Sequence, residues 1–171
     1  MAETERTWTA LQALLADNTA EAISPMDLRD AIISCLGGYA SLYVNDSVTT
    51  QAIVAAPAKV TCWTGVGAQR GAAADPATDR IVVGVSGDYM LTLTSSLKAN
   101  IGTDLVLYLY KNGLAVTGAK SRVRADTTEL MCSLALAVTL AAGDIIEMYA
   151  SCAPNANVTF VDAHLSLKRI G

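Results

Sequence analysis

A chain of 171 residues in which 52% of side chains are apolar and only 16% charged has room for one domain and a short appendage, with little polar material to cover a monomer. Its surplus of apolar surface points to self-association, and a net charge of −4 with only loose basic groupings, such as Lys120, Arg122 and Arg124, argues against nucleic-acid binding. No uninterrupted apolar run reaches the roughly 18 residues of a membrane span, so no membrane partner is expected.

Met1 to Arg6 lacks the basic start and apolar middle of a secretory leader, so export by that route is not expected. Over 5–17, Trp8, Leu11, Leu14 and Leu15 form one stripe of a short helix, which needs a surface to lie on because helices of about a dozen residues are marginal in water. A second helix is predicted from Ser24 as cap, Pro25 in the first turn and Asp27 in a capping-box position. Met26, Leu28, Ile32, Ile33, Cys35 and Leu36 supply its apolar positions, and Gly37 with Gly38 closes it. Residues 1–43 are thus expected to form a helical N-terminal arm ahead of a β domain over 44–171.

Beyond the arm the period changes from helical to alternating. Strands are predicted at 41–45, 50–56, 58–64, 80–85, 88–95, 104–111, 115–124, 129–138, 144–151 and 157–168, a number and spacing that suit an antiparallel jelly-roll β-sandwich. Asn112-Gly113 marks a tight hairpin, because both residues tolerate positive φ, and Ala142-Gly143-Asp144 breaks the chain before Ile145. Leu105, Leu107 and Leu109 alternate with Val106, Tyr108 and Tyr110, so both faces of that strand are apolar: one suits the core and the other a neighbouring surface. Tyr108 and Tyr110 are the candidate subunit-interface residues, while Trp63 reads as core. Residues 65–79 are too poor in large apolar groups to build an element and read as a loop.

Catalytic equipment is not evident, and no catalytic, cofactor-binding or metal-ligating residue is assigned. Gly65, Gly67 and Gly71 have the wrong spacing for a dinucleotide fingerprint and open no helix. Asp75, Asp79 and Asp88 lack the alternate-oxygen pattern of a calcium loop. His164 is the only histidine and has no nucleophile at recognisable spacing, so a non-enzymatic role is expected. Cys35, Cys62, Cys132 and Cys152 are scattered without zinc or redox spacing and read as reduced, buried small hydrophobes.

Two resemblances cover nearly the whole chain. Gly87-Asp88-Tyr89 opening a strand, Leu107 to Gly113 ending in Lys-Asn-Gly, Leu140-Ala-Ala-Gly-Asp-Ile-Ile, and Val158-Thr-Phe with Leu165 resemble the trimeric jelly rolls of tumour necrosis factor and the complement-type globular heads. The segment 14–34, from Leu14-Leu-Ala-Asp-Asn-Thr to Ala31-Ile-Ile-Ser, is similar to one at the front of structural proteins of tailed bacteriophages. Together they imply a virion protein assembled in the bacterial cytoplasm: a homotrimeric capsid decoration, or cement, protein on the capsid surface that grips the major capsid protein. Trp8, Leu11, Leu14, Leu15, Leu28, Ile32 and Ile33 are then the expected arm-to-capsid contacts. The alternative implied is a head- or tail-fibre tip module that binds a host receptor or glycan.

Overall fold

The computed structural model describes residues 37–171. Twelve strands follow one another: β1 (Tyr39–Val44), β2 (Thr50–Ile53), β3 (Ala58–Lys59), β4 (Gly65–Val66), β5 (Ala72–Asp75), β6 (Arg80–Val83), β7 (Gly87–Ala99), β8 (Thr103–Lys111), β9 (Leu114–Ala125), β10 (Leu130–Leu140), β11 (Ile145–Ala153) and β12 (Ala156–Arg169). They form two six-stranded sheets. The first runs β10-β7-β12-β1-β4 with β2 also on β12, and the second runs β5-β6-β11-β8-β9 with β3 also on β11. The strand pairings are antiparallel.

Alternation explains the layering, since period-two side chains put one set of each strand between the sheets. Tyr89, Leu91, Leu93 and Leu97 of β7, with Leu165 and Leu167 of β12, face Leu105, Leu107 and Leu109 of β8 and Ile146 and Met148 of β11 across a closed core. Each is at most 1% exposed, which at roughly 2 kcal/mol per buried large aliphatic side chain makes this layer the main source of stability. Trp63 lies in the same core, as expected. Along β12 the alternation slips once: a bulge between Phe160 and Asp162 lets both Phe160 and Ala163 point inward.

Three expectations need correction. The stretch 65–79 is not a featureless loop, because β4 and β5 lie in it; backbone pairing with β1 and β6 stabilises residues too small to pack for themselves. The strand predicted at 58–64 contracts to β3. The strand predicted at 41–45 begins earlier, at Tyr39, because Ala40, Leu42 and Val44 pack inward while β1 pairs with β12. The predicted helices, with Trp8, Leu11, Leu14, Leu15, Leu28, Ile32, Ile33 and Cys35, lie outside the described residues.

The chain enters and leaves the sandwich at one end. There the Arg169 amide donates to the Gly38 carbonyl at 2.6 Å and the Asp88 amide to the Gly171 carbonyl at 3.0 Å.

Candidate interaction surfaces

Three surfaces stand out, each produced by the strand order. The first is the outward face of the first sheet. Its central rows, read across β1, β12, β7 and β10, are Ser41, Ser166, Thr92 and Ala135, and then Tyr43, His164, Thr94 and Ser133. Thr92 and Ser166 join their hydroxyls at 2.6 Å. Met90, 36% exposed, and Met131, 82% exposed, add flexible apolar groups. Apart from His164 the central rows carry no ionisable side chain except the Tyr43 phenol, an unusual composition for a sheet face open to water. At one end Thr94, Ser96, Glu129, Met131, Asp162 and His164 line a depression of about 330 Å³, where the Ser96 hydroxyl donates to the Glu129 carboxylate. His164 is exposed there, with no nucleophilic cysteine or elbow serine in the lining.

The second surface is a flank. β10 ends the first sheet, β9 ends the second, and the two edges meet along one side of the sandwich. Core-facing residues on interior strands are sealed, but here Val116, Val123, Leu134, Leu136 and Val138 pack on the core while remaining half-buried. A long edge strand with uncharged Met131, Ser133, Ala135 and Ala137 on its outer side has none of the charge or proline that usually keeps an edge from pairing.

The third surface is the outward face of the second sheet. Tyr108 and Tyr110 are half-buried there, opposite Leu105, Leu107 and Leu109 as their alternation requires. Their rings meet edge to face at 6.3 Å, and Tyr110 stacks on Tyr149 of β11 with centroids 3.9 Å apart. The Tyr108 and Ser151 hydroxyls lie 3.2 Å apart. Burial, with the nearby Glu147 carboxylate and Tyr110, raises the Tyr149 phenol above its ordinary value and keeps it protonated. Lys59 donates to Glu147 at 2.7 Å beside this patch. On the other side β9 aligns Lys120 with Tyr108 and Arg122 with Val106, and Arg124 pairs with Asp104 at 3.0 Å. Tyr149 escaped the sequence reading because its partner lies on a different strand, and no local pattern announces a cross-strand stack.

The glycines that superficially looked like a nucleotide loop have a packing role. A Cβ on Gly65 would collide with the Tyr43 ring, and one on Gly67 would strike the Ser41 hydroxyl, so the chain can lie this close to β1 only with glycine at those two positions. Cys62, Cys132 and Cys152 are free thiols, the last two buried. Among the described residues no cluster of three or more His, Cys, Asp or Glu side chains is arranged to hold a metal, and no helix is long and apolar enough to cross a membrane.

Comparison with solved structures shows what this arrangement matches. The globular domain of zebrafish complement 1qA superposes with a TM-score of 0.58 at 15% identity, over 78% of this chain and 98% of that one. Murine APRIL at pH 5.0 gives 0.55 at 18% identity, over 78% and 99%. Eiger TNF from S. frugiperda gives 0.55 at 11% identity, over 78% and 94%. The fold is that of the tumour necrosis factor and complement 1q jelly rolls. No protein-family model matches the sequence, and no curated protein does.

Proposed function

We propose that this jelly roll is a self-associating, homotrimeric attachment module, and that it serves as a decoration protein on the capsid of a tailed bacteriophage, binding and stabilising the major capsid protein lattice. The observation that carries the self-association is the coexistence of two unlike surfaces on one sandwich: the unsealed β9–β10 flank and the uncharged central rows of the first sheet's outward face. Setting the flank of one copy on the face of the next is a heterologous contact, which closes into a ring when the rotation allows. A threefold ring covers both surfaces on every copy and relieves the half-buried Leu134, Leu136 and Val138.

The tyrosine face of the second sheet is the alternative contact between copies, as Tyr108 and Tyr110 first indicated. Its aromatic groups are partly satisfied by one another, so the flank and the first sheet make the better buried surface, and the tyrosines are left for an outside partner.

Attachment to the capsid rests on the resemblance of residues 14–34 to the front of phage structural proteins. Three arms on one trimer bind at high effective concentration, so individually weak grips suffice. A second reading, a fibre-tip module that binds a receptor or glycan, is favoured by the Tyr108, Tyr110 and Tyr149 patch beside Lys120 and Arg122, since aromatic faces with polar neighbours suit sugars. Mass measurement in dilute solution tests the trimer, and a stable monomer overturns it. Localisation in purified virions separates the two readings: regular occupancy over the head supports decoration, whereas copies confined to a fibre reject it.

A further inference from the structure

The β8–β9 hairpin turns on Asn112 and Gly113, with φ of 53° and 78°, and Asn112 is the one asparagine in the chain followed by glycine. That dipeptide suits the turn and is also chemically fragile, because glycine leaves its amide nitrogen unhindered toward the preceding carboxamide. Here the carboxamide is held. The Asn112 Nδ2 donates to Asp144 Oδ1 at 2.7 Å, and its Oδ1 accepts the Ile145 amide at 2.8 Å. Asp144 is itself 8% exposed, and its Oδ2 accepts the Ala141 amide and the Lys111 ammonium, both at 2.8 Å. Hairpin tip and β10–β11 turn are thereby latched together by Asn112 and Lys111 on Asp144, beside one backbone bond from the Asn112 amide to the Ile145 carbonyl at 2.9 Å.

We propose that Asn112 is a deamidation site whose rate is governed by the Asp144 latch, and that the reaction, once it has occurred, releases that latch. The step needs Asn112 Cγ brought against the Gly113 nitrogen, and the bonds to Asp144 and Ile145 restrain the carboxamide from turning freely toward it. When the turn opens, the Gly113 nitrogen gives up its proton to solvent base and attacks Cγ. A C–N bond forms, the Cγ–Nδ2 bond breaks, and ammonia leaves with a solvent proton. Water then opens the resulting five-membered imide at either carbonyl, giving aspartate or isoaspartate, so the net change replaces NH₂ by OH. The product sets a carboxylate against Asp144 where a donor had been, with the Lys111 ammonium left to serve two anions. The isoaspartate product also lengthens the backbone within the turn.

The full chain is incubated at mildly alkaline pH, folded and in urea, beside folded Asp144→Ala, and the peptide spanning Asn112 is followed by mass. Unfolded chain is expected to react at least about tenfold faster than folded chain, as protection by a locally stable turn requires, with Asp144→Ala between them. Equal rates for folded and unfolded parent, or no acceleration in a folded Asp144→Ala, overturn the proposal. Should Asp144→Ala not fold, the product mimic Asn112→Asp completes the test: a lowered unfolding midpoint is expected, and a midpoint equal to the parent's refutes release of the latch.

Discussion

Tyr110 and Tyr149 stack across β8 and β11 with centroids 3.9 Å apart and ring planes 14° from parallel, so two strands already joined by backbone pairing are also joined face to face. Removing one ring forfeits both the aromatic pair, worth about 1 kcal/mol, and the apolar area it covers. Tyr149→Ala is expected to lose about 2 kcal/mol in denaturant unfolding. A midpoint unchanged from the parent's would mean that the stack contributes nothing.

Asp144 gives the clearest pH signature. Burial pushes its carboxyl up, but the Lys111 ammonium, the Ala141 amide and the Asn112 carboxamide together outweigh that and hold it below the ordinary 3.8. A depressed folded value means that the stabilisation is fully present above 3.8 and is lost as pH falls from there through the lower folded value. Asp144→Ala should cost about 3 kcal/mol near neutrality, as loss of charge-assisted bonds to a buried carboxylate does. Its stability should then fall less steeply than the parent's in acid, which thermal melts across that range would reveal.

Gly65→Ala drives a methyl group into the Tyr43 ring. Overpacking of this kind costs about 1–3 kcal/mol. Pairing it with Tyr43→Ala removes the collision, so the double-mutant cycle should show strong favourable coupling. Additive losses would show that the Tyr43 ring is not what makes Gly65→Ala costly.

Cys62 is half-buried, and burial together with the Asp79 carboxylate pushes its thiol up to about 12. Thiolate is the reactive form. In a Cys35→Ser background, alkylation of the folded protein should be slow and should stay slow through the mildly alkaline range, with rapid modification of Cys62, Cys132 and Cys152 once urea is added. Fast labelling of Cys62 in the folded protein at neutral pH contradicts that environment.

Ala135 sits exposed on the outward face of the first sheet's edge strand β10, paired with Thr92. Ala135→Arg places a charge where the ring proposed above buries an uncharged surface, and should yield folded monomers in sedimentation with little loss of monomer stability. If Ala135→Arg stays trimeric while Tyr108→Ala dissociates, the tyrosine face is the contact between copies.

Much of the sandwich was legible because alternation is local. Leu105, Leu107 and Leu109 against Val106, Tyr108 and Tyr110 assign two faces whatever the neighbouring strands are, and Asn112-Gly113 fixes a turn by its own conformational preference. The failures share a cause. Ala72–Asp75 pairs with β6 despite having nothing apolar to bury beyond methyl groups, so its strand character comes from its neighbour. The slip at Phe160 is equally silent, since a bulge is set by the register of β12 on β7.

The residues of this chain, taken one after another, determined its strands, its turns, its core-facing leucines and its shortage of surface charge, because each depends on period and composition. Only the tertiary structure decided that β9 and β10 are edges meeting at an unsealed flank, that Gly65 lies beneath Tyr43, and that Asn112 is latched to Asp144. Those are relations between segments far apart in the chain, fixed by which strand lies beside which, and no local pattern encodes that neighbour.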